Sequence, residues 1–275
     1  MNRPNHETLA SWDRFSGHPI AAPILWGLAA AAFGAFTARL DPNVLEEGII
    51  LHTAERMLAG EHLYRDVIVH TAPLPYELLA ACFRLFGAEL WVARALLVCF
   101  QALGVSALFA LVRRSGVNEL AHLAAAIVAT APVFLFPQLS NYYYTTIAFY
   151  LTLAATYLGA RAVESQSWAV SAGAMLSVIA LCKQTTGVVF AVPFVTALFV
   201  LTPQAQRPRR ILAVVGGGAA TAAVALGTYA LRGDLAQLIF GIVELPLSMG
   251  NSYRAPYLNV WPLGELAQDV RENWV

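Results

Sequence analysis

The sequence predicts an all-α polytopic membrane protein of about seven transmembrane helices, with an amphipathic helical first outer loop. Three observations predict it. Only 12% of the 275 residues are charged and 58% are hydrophobic, with a mean hydropathy of +0.60, whereas a soluble domain carries roughly 25% charged residues. Apolar runs of the ~18 residues that a helix needs to cross the hydrocarbon core recur along the chain. Arginines close those runs in alternate loops, the pattern of a chain whose basic loops stay cytoplasmic.

Taken in order, the first span covers Ile20 to Thr37 and carries no charge. It follows a mixed-charge segment and is long enough to remain as an anchor. A polar stretch runs from Arg39 to about Ala72. Leu74 to Phe86 is apolar but short and broken by Glu77 and Arg84, so it is expected to lie along the interface. The second span covers about Leu90 to Val112 and ends at Arg113 and Arg114. The third runs from about Leu120 to Phe136, followed by Asn141, Tyr142, Tyr143 and Tyr144. The fourth covers about Thr146 to Leu158 and ends at Arg161. Trp168 to Leu201 is long enough for two short spans, with Lys183, Gln184 and Thr185 between them. Arg207, Arg209 and Arg210 precede the last span, Ile211 to Leu231, which holds the glycine triplet 216–218 as a flexible point.

With a cytoplasmic N-terminus, all three basic loops fall on the cytoplasmic side of the plasma (inner) membrane. The first loop (39–87), the tyrosines, Lys183 and the 232–275 tail or loop then lie outside, and the tyrosines form an interfacial aromatic belt. The whole chain, 1–275, reads as one transmembrane domain. The formal net charge is zero, so nothing points to a nucleic-acid partner. Cys82, Cys99 and Cys182 sit inside apolar runs without metal-type spacing and read as small buried hydrophobes.

The first outer loop carries the chemistry-bearing side chains. Asp41 followed by Pro42 is a helix start. Val44, Leu51, Ala54 and Leu58 share one helical face, and Gly60 ends the helix. Glu46 and Glu47 fall in its first turn, where they complement the helix dipole. Arg65, Asp66, His52 and His70 share the loop. A carboxylate pressed against the headgroups also suits the deprotonation of an acceptor hydroxyl. Lys183, the only lysine in the chain, is costly in an apolar run unless it faces a polar cavity or snorkels to the interface. At the outer mouth it would stabilise a phosphate leaving group.

The order E-E-G-I-I-L (46–51), A-E-R-M-L-A-G (54–60), L-Y-R-D (63–66), A-P-L-P-Y (72–76) and F-R-L-F-G (83–87) resembles the N-terminal signature of GT-C fold glycosyltransferases. These include the protein O-mannosyltransferases, lipid A aminoarabinose transferases and rhizobial lipopolysaccharide core transferases. The resemblance covers Asp41 to Gly87, with K-Q-T-T-G (183–187) as a weaker second match. It implies a polyprenyl-phosphate sugar donor among membrane lipids and a glycan, lipid or protein acceptor. It also implies an acidic residue of the first outer loop as general base, and inversion at the anomeric carbon. Many relatives read Asp-Glu-Gly where this chain has Glu46-Glu47-Gly48, so the base falls on Glu46, with Asp41 as the competing candidate. Glu47, Arg65, Asp66, Lys183 and Gln184 are the expected substrate-binding residues. The resemblance fixes no cofactor, and a divalent metal stays open, since some GT-C enzymes use one. Relatives run longer, so the chain resembles an N-terminal portion. The alternative reading is a transporter or flippase of lipid-linked sugars, which would place ionisable residues near the bilayer midplane between repeats. A non-catalytic scaffold would leave the loop without a role.

Overall fold

Alanine-rich, uncharged runs separated by short polar turns fold here as a bundle of long helices. The computed structural model describes residues 20–40 and 45–252, the last four by backbone alone. The helices are α1 (Ala21–Thr37), α2 (Glu46–Leu58), α3 (Leu74–Phe86), α4 (Leu90–Arg113), α5 (Asn118–Phe134), α6 (Tyr144–Ala162), α7 (Gln166–Cys182), α8 (Gln184–Leu201) and α9 (Arg207–Arg232). After α9 come α10 (Leu235–Ile239), one π turn (Phe240–Glu244) and α11 (Leu245–Ser252). The architecture is that of an all-α membrane protein. By length and composition, Leu90–Arg113, Gln184–Leu201 and Gln204–Arg232 are long and apolar enough to cross a membrane. Ala21–Thr37, Asn118–Phe134 and Gln166–Cys182 are apolar but shorter. A 17-residue helix is about 26 Å long, a little under the hydrocarbon thickness of about 30 Å.

Small residues let the helices approach. The most extensive packing joins α7 to α9, and α4 packs against α1, α5 and α6. A Cβ on Gly173 would meet the Val214 carbonyl oxygen at 1.9 Å, and one on Gly217 would meet that of Val170 at 2.1 Å. Ser177 donates to the Gly218 carbonyl at 2.7 Å. The glycine triplet is therefore a seam between helices, helical throughout, and not the flexible point its composition suggests. Lipid gives no hydrophobic drive between helices, so close backbone approach and interhelical hydrogen bonds supply the association.

Helix alternation gathers the loops at two ends. At one end the basic loops meet: Arg114 and Arg161 both pair with Glu164, and Arg210 donates to the Glu164 carbonyl at 3.0 Å. At the other end lie residues 38–40 and 45–89, the stretch before α6, Lys183 and residues 233–252. Helix α3 is fixed there by Glu77, which accepts from Tyr229 at 2.9 Å and from Arg232 at 2.7 Å. Lys183 has extended dihedrals (φ −149°, ψ 104°) and reverses the chain between α7 and α8. So tight a reversal needs Gly187, whose Cβ would sit 2.4 Å from Ala180 Cα.

Two further sequence expectations shift. The buried face of α2 is Glu47, Ile50, Thr53, Ala54 and Met57, one residue off the face through Leu51 and Leu58, which are only half-buried. The α2–α3 packing and the Glu47 contacts set that rotation. Tyr142 is 0% exposed and donates to the Pro75 carbonyl at 2.9 Å, so it belongs to the core and not to an aromatic belt.

Candidate functional site

The site is built on a buried ion pair at the root of α2. Glu47 is 0% and Arg94 1% exposed. Arg94 grips the carboxylate with two parallel bonds, Nε to Oε1 at 3.2 Å and Nη2 to Oε2 at 2.9 Å. Its Nη1 donates to the carbonyls of Ala38 and Leu40 beyond α1. Glu47 Oε1 also accepts the Tyr142 amide at 3.1 Å. One carboxylate thus joins α2, α4 and the run before α6. Both oxygens of Glu47 are committed inside the protein, which leaves it no open face for a substrate. Glu46, one residue earlier, is exposed. Asp41 lies outside the described residues.

Gln184 is similarly committed. Its Oε1 accepts the Ala72 amide at 3.2 Å and its Nε2 donates to the His70 carbonyl at 2.9 Å. It clamps the first-loop segment to the start of α8. Asp66 accepts the His62 amide at 2.8 Å and is paired by Arg65 at 3.0 Å. The Arg65 guanidinium holds the Asp66 carboxyl below the usual carboxylate range, helped by that amide. Asp234, just beyond α9, is 2% exposed. It meets His62 Nδ1 at 2.5 Å and Arg65 Nη1 at 3.5 Å. Arg65 and Asp66 therefore form a turn pinned to the chain after α9.

Lys183 has a different neighbourhood. Its Nζ donates to Thr145 Oγ1 at 2.8 Å and stands 5.5 Å from the centre of the Tyr144 ring. Partial burial pushes its pKa down. The Tyr143 and Tyr144 rings lie 3.9 Å apart, with their hydroxyls hydrogen-bonded. Glu46 is close enough to add to the upward pull on the Tyr143 phenol, after burial and the bond to Tyr144. Tyr143, Tyr144 and Lys183 thus form one cluster, whereas Arg65 and Asp66 sit with Asp234. Between α6 and α8, beginning at Thr185 and Thr186, an open apolar groove of about 430 Å³ is lined also by Thr152, Val189, Phe190 and Pro193. It shares Phe190 and Pro193 with a second apolar hollow of about 380 Å³ that continues to Leu201.

Sequence reasoning passed over Arg94, Asp234 and the tyrosine pair. Arg94 carried a usable signal, since an arginine inside an apolar run needs a buried partner. Among the described residues no group of three His, Cys, Asp or Glu side chains is arranged to hold a metal ion.

A family model described as dolichyl-phosphate-mannose-protein mannosyltransferase matches residues 70–228, more than half of the chain. The matched stretch includes Arg94, the tyrosine pair, Lys183 and Gln184, and begins after Glu46, Arg65 and Asp66. No curated protein and no solved structure matches the chain.

Proposed function

The chain belongs to the dolichyl-phosphate-mannose-protein mannosyltransferase family, a GT-C glycosyltransferase family that uses polyprenyl-phosphate sugars, and from that premise we propose an inverting transfer at the outer membrane face. The acceptor is a hydroxyl of a lipid, glycan or protein. Glu46 removes the proton of that hydroxyl as its oxygen attacks the anomeric carbon. The bond from that carbon to the phosphate oxygen breaks, and the polyprenyl phosphate leaves with the electron pair. Lys183 meets the growing negative charge on the phosphate.

One observation carries this reading. The only lysine, Lys183, adjoins the tyrosine pair and precedes by two residues the threonines that line an apolar groove, and Glu46 is within electrostatic reach of Tyr143. A donor with an apolar tail, a phosphate and a sugar has the same order of chemistry. A transporter needs no carboxylate beside the sugar and favours charges near the midplane, whereas these charges cluster at one end of the bundle.

Lys183 provides the test. Preorganised groups of this kind are typically worth about 3 kcal/mol, or about a hundredfold in rate. Lys183→Met keeps a long apolar stem and is expected to lose most transfer. Lys183→Arg keeps the charge with altered reach and should retain part. Transfer from radiolabelled polyprenyl-phosphate sugars, at equal amounts of inserted protein, reads the order. Equal rates for wild type and Lys183→Met, at limiting and saturating donor, would reduce Lys183 to an interfacial anchor. Because burial lowers its pKa, activity that depends on its charge should fall at a lower pH than for a solvated lysine.

The outward orientation follows from the basic loops. In a background lacking Cys82, Cys99 and Cys182, Glu61→Cys should react with an impermeant maleimide from outside and Arg209→Cys only from inside. Labelling of both from one side would reject the seven-span arrangement.

A further inference from the structure

The transfer step above gives Tyr143 and Tyr144 no role, yet they occupy its centre. Tyr143 is extended (φ −142°, ψ 144°) and Tyr144 opens α6, and across that change of backbone the two rings come side by side. Their centroids are 3.9 Å apart, inclined by 37°, and the two hydroxyls bond to each other. Both are half-buried. Immediately before them, Asn141 is 1% exposed, and both its amide atoms lack a hydrogen-bond partner. Buried polar atoms without partners are uncommon and call for an explanation.

The flanks differ in chemistry. On the Tyr144 side stands the Lys183 ammonium, with the apolar groove beginning two residues later at Thr185. The Glu46 carboxylate is within electrostatic reach of Tyr143. An aromatic ring with a polar tip gives an apolar face and a hydrogen-bonding edge together. A sugar ring offers the same two surfaces, C–H faces and hydroxyl edges. An isoprenoid tail has no use for the hydroxyls, and a phosphate has none for the ring faces.

We infer that the Tyr143–Tyr144 pair seats the transferred sugar, as a specificity-determining aromatic surface beside the cation that meets the phosphate. This inference rests on the transferase reading. It assigns the sugar to ring-face contact and to hydrogen bonds at the two phenol oxygens, Tyr144 donating and Tyr143 accepting, since the Tyr143 proton is given to Tyr144. Burial keeps the Tyr143 phenol protonated, so that bond persists. A membrane-anchoring role for the rings makes the opposite forecast, because it is indifferent to whether the lipid carries a sugar.

The experiment compares lipids with and without the sugar. Full-length protein in nanodiscs is titrated with a panel of polyprenyl-phosphate hexoses and with the same polyprenyl phosphate lacking sugar. Wild type should bind one hexose lipid more tightly than the bare phosphate. Tyr143→Phe and Tyr144→Phe keep the rings and remove the hydroxyls. They should weaken that hexose lipid about fivefold to tenfold, the worth of one hydrogen bond, and leave the bare lipid within about twofold. Tyr144→Leu should weaken it further. Lys183→Met should weaken both lipids. If the tyrosine variants shift both lipids alike, or neither, the sugar seat is refuted while the transferase reading stands. It is refuted likewise if wild type prefers no hexose lipid over the bare phosphate. If wild type binds no lipid of either kind, the transferase reading itself falls, and the sugar seat with it.

Discussion

Glu46→Gln is expected to lower turnover about a hundredfold or more while the amount of inserted protein stays unchanged. Glutamine keeps the shape and hydrogen-bonding reach of the side chain and removes the lone-pair basicity that a general base needs. The expectation is specific to Glu46 because its neighbour is unlike it. Glu47 is 0% exposed and committed to Arg94 and the Tyr142 amide, so its loss would act through folding. Glu46 is exposed at the start of α2. Its exposure also means that little packing is lost on substitution, so a fall in turnover reads as lost chemistry. Asp41 is the competing base, and Asp41→Asn is the companion variant. Single-turnover transfer from a saturating polyprenyl-phosphate sugar separates the chemical step from donor binding. Full turnover in both variants would move the base elsewhere.

The helices were legible because apolar length and charge punctuation are one-dimensional signals. Lys183 marks the α7–α8 reversal, and Gly60 ends α2 with φ +95°. Leu74–Phe86, interrupted by Glu77 and Arg84, is a 13-residue helix, too short to span. Among the residues the motifs singled out, Glu46 is exposed and Lys183 half-buried, whereas Glu47 is fully buried. Pairings across the bundle are not written in local sequence. Asp234 follows a glycine in a segment that reads as a tail, and nothing near it reveals that it meets His62, 172 positions earlier. Gln184 lies in a motif that suggests phosphate binding, and it spends its amide on the backbone of His70 and Ala72. The tyrosines illustrate a third limit. Composition assigns all three to an interface, whereas the backbone change at Tyr143 and Tyr144 turns Tyr142 into the core and pairs the other two.

Arg94→Met is expected to cost about 3–5 kcal/mol of stability, because it leaves the Glu47 carboxylate buried without its counter-charge. The side chains of Arg94 and Glu47 are 2% and 1% exposed, so water cannot take over the missing partner. The carbonyls of Ala38 and Leu40 lose their donor at the same time, which frees the segment leading from α1 to α2. Glu47→Leu should be as damaging, since it leaves the guanidinium uncompensated and the Tyr142 amide without its acceptor. The double variant Glu47→Leu/Arg94→Met removes both charges and keeps similar volume. It should melt above either single variant, though below wild type, because the Tyr142 amide and the two carbonyls remain unpaired. Arg94→Lys should fall between wild type and Arg94→Met, since an ammonium keeps the charge but cannot reproduce the two parallel bonds. Thermal melting of detergent-solubilised protein reads this order. If Arg94→Met melts with the wild type, the pair is not what fixes α2. The order also bears on the base: Glu46 is one residue from this anchor, so a variant that loosens Glu47 should lower transfer even where folded protein persists, and Arg94→Lys should recover part of it. That recovery, set against the complete dependence expected at Glu46, separates a residue that holds the helix from one that takes the proton.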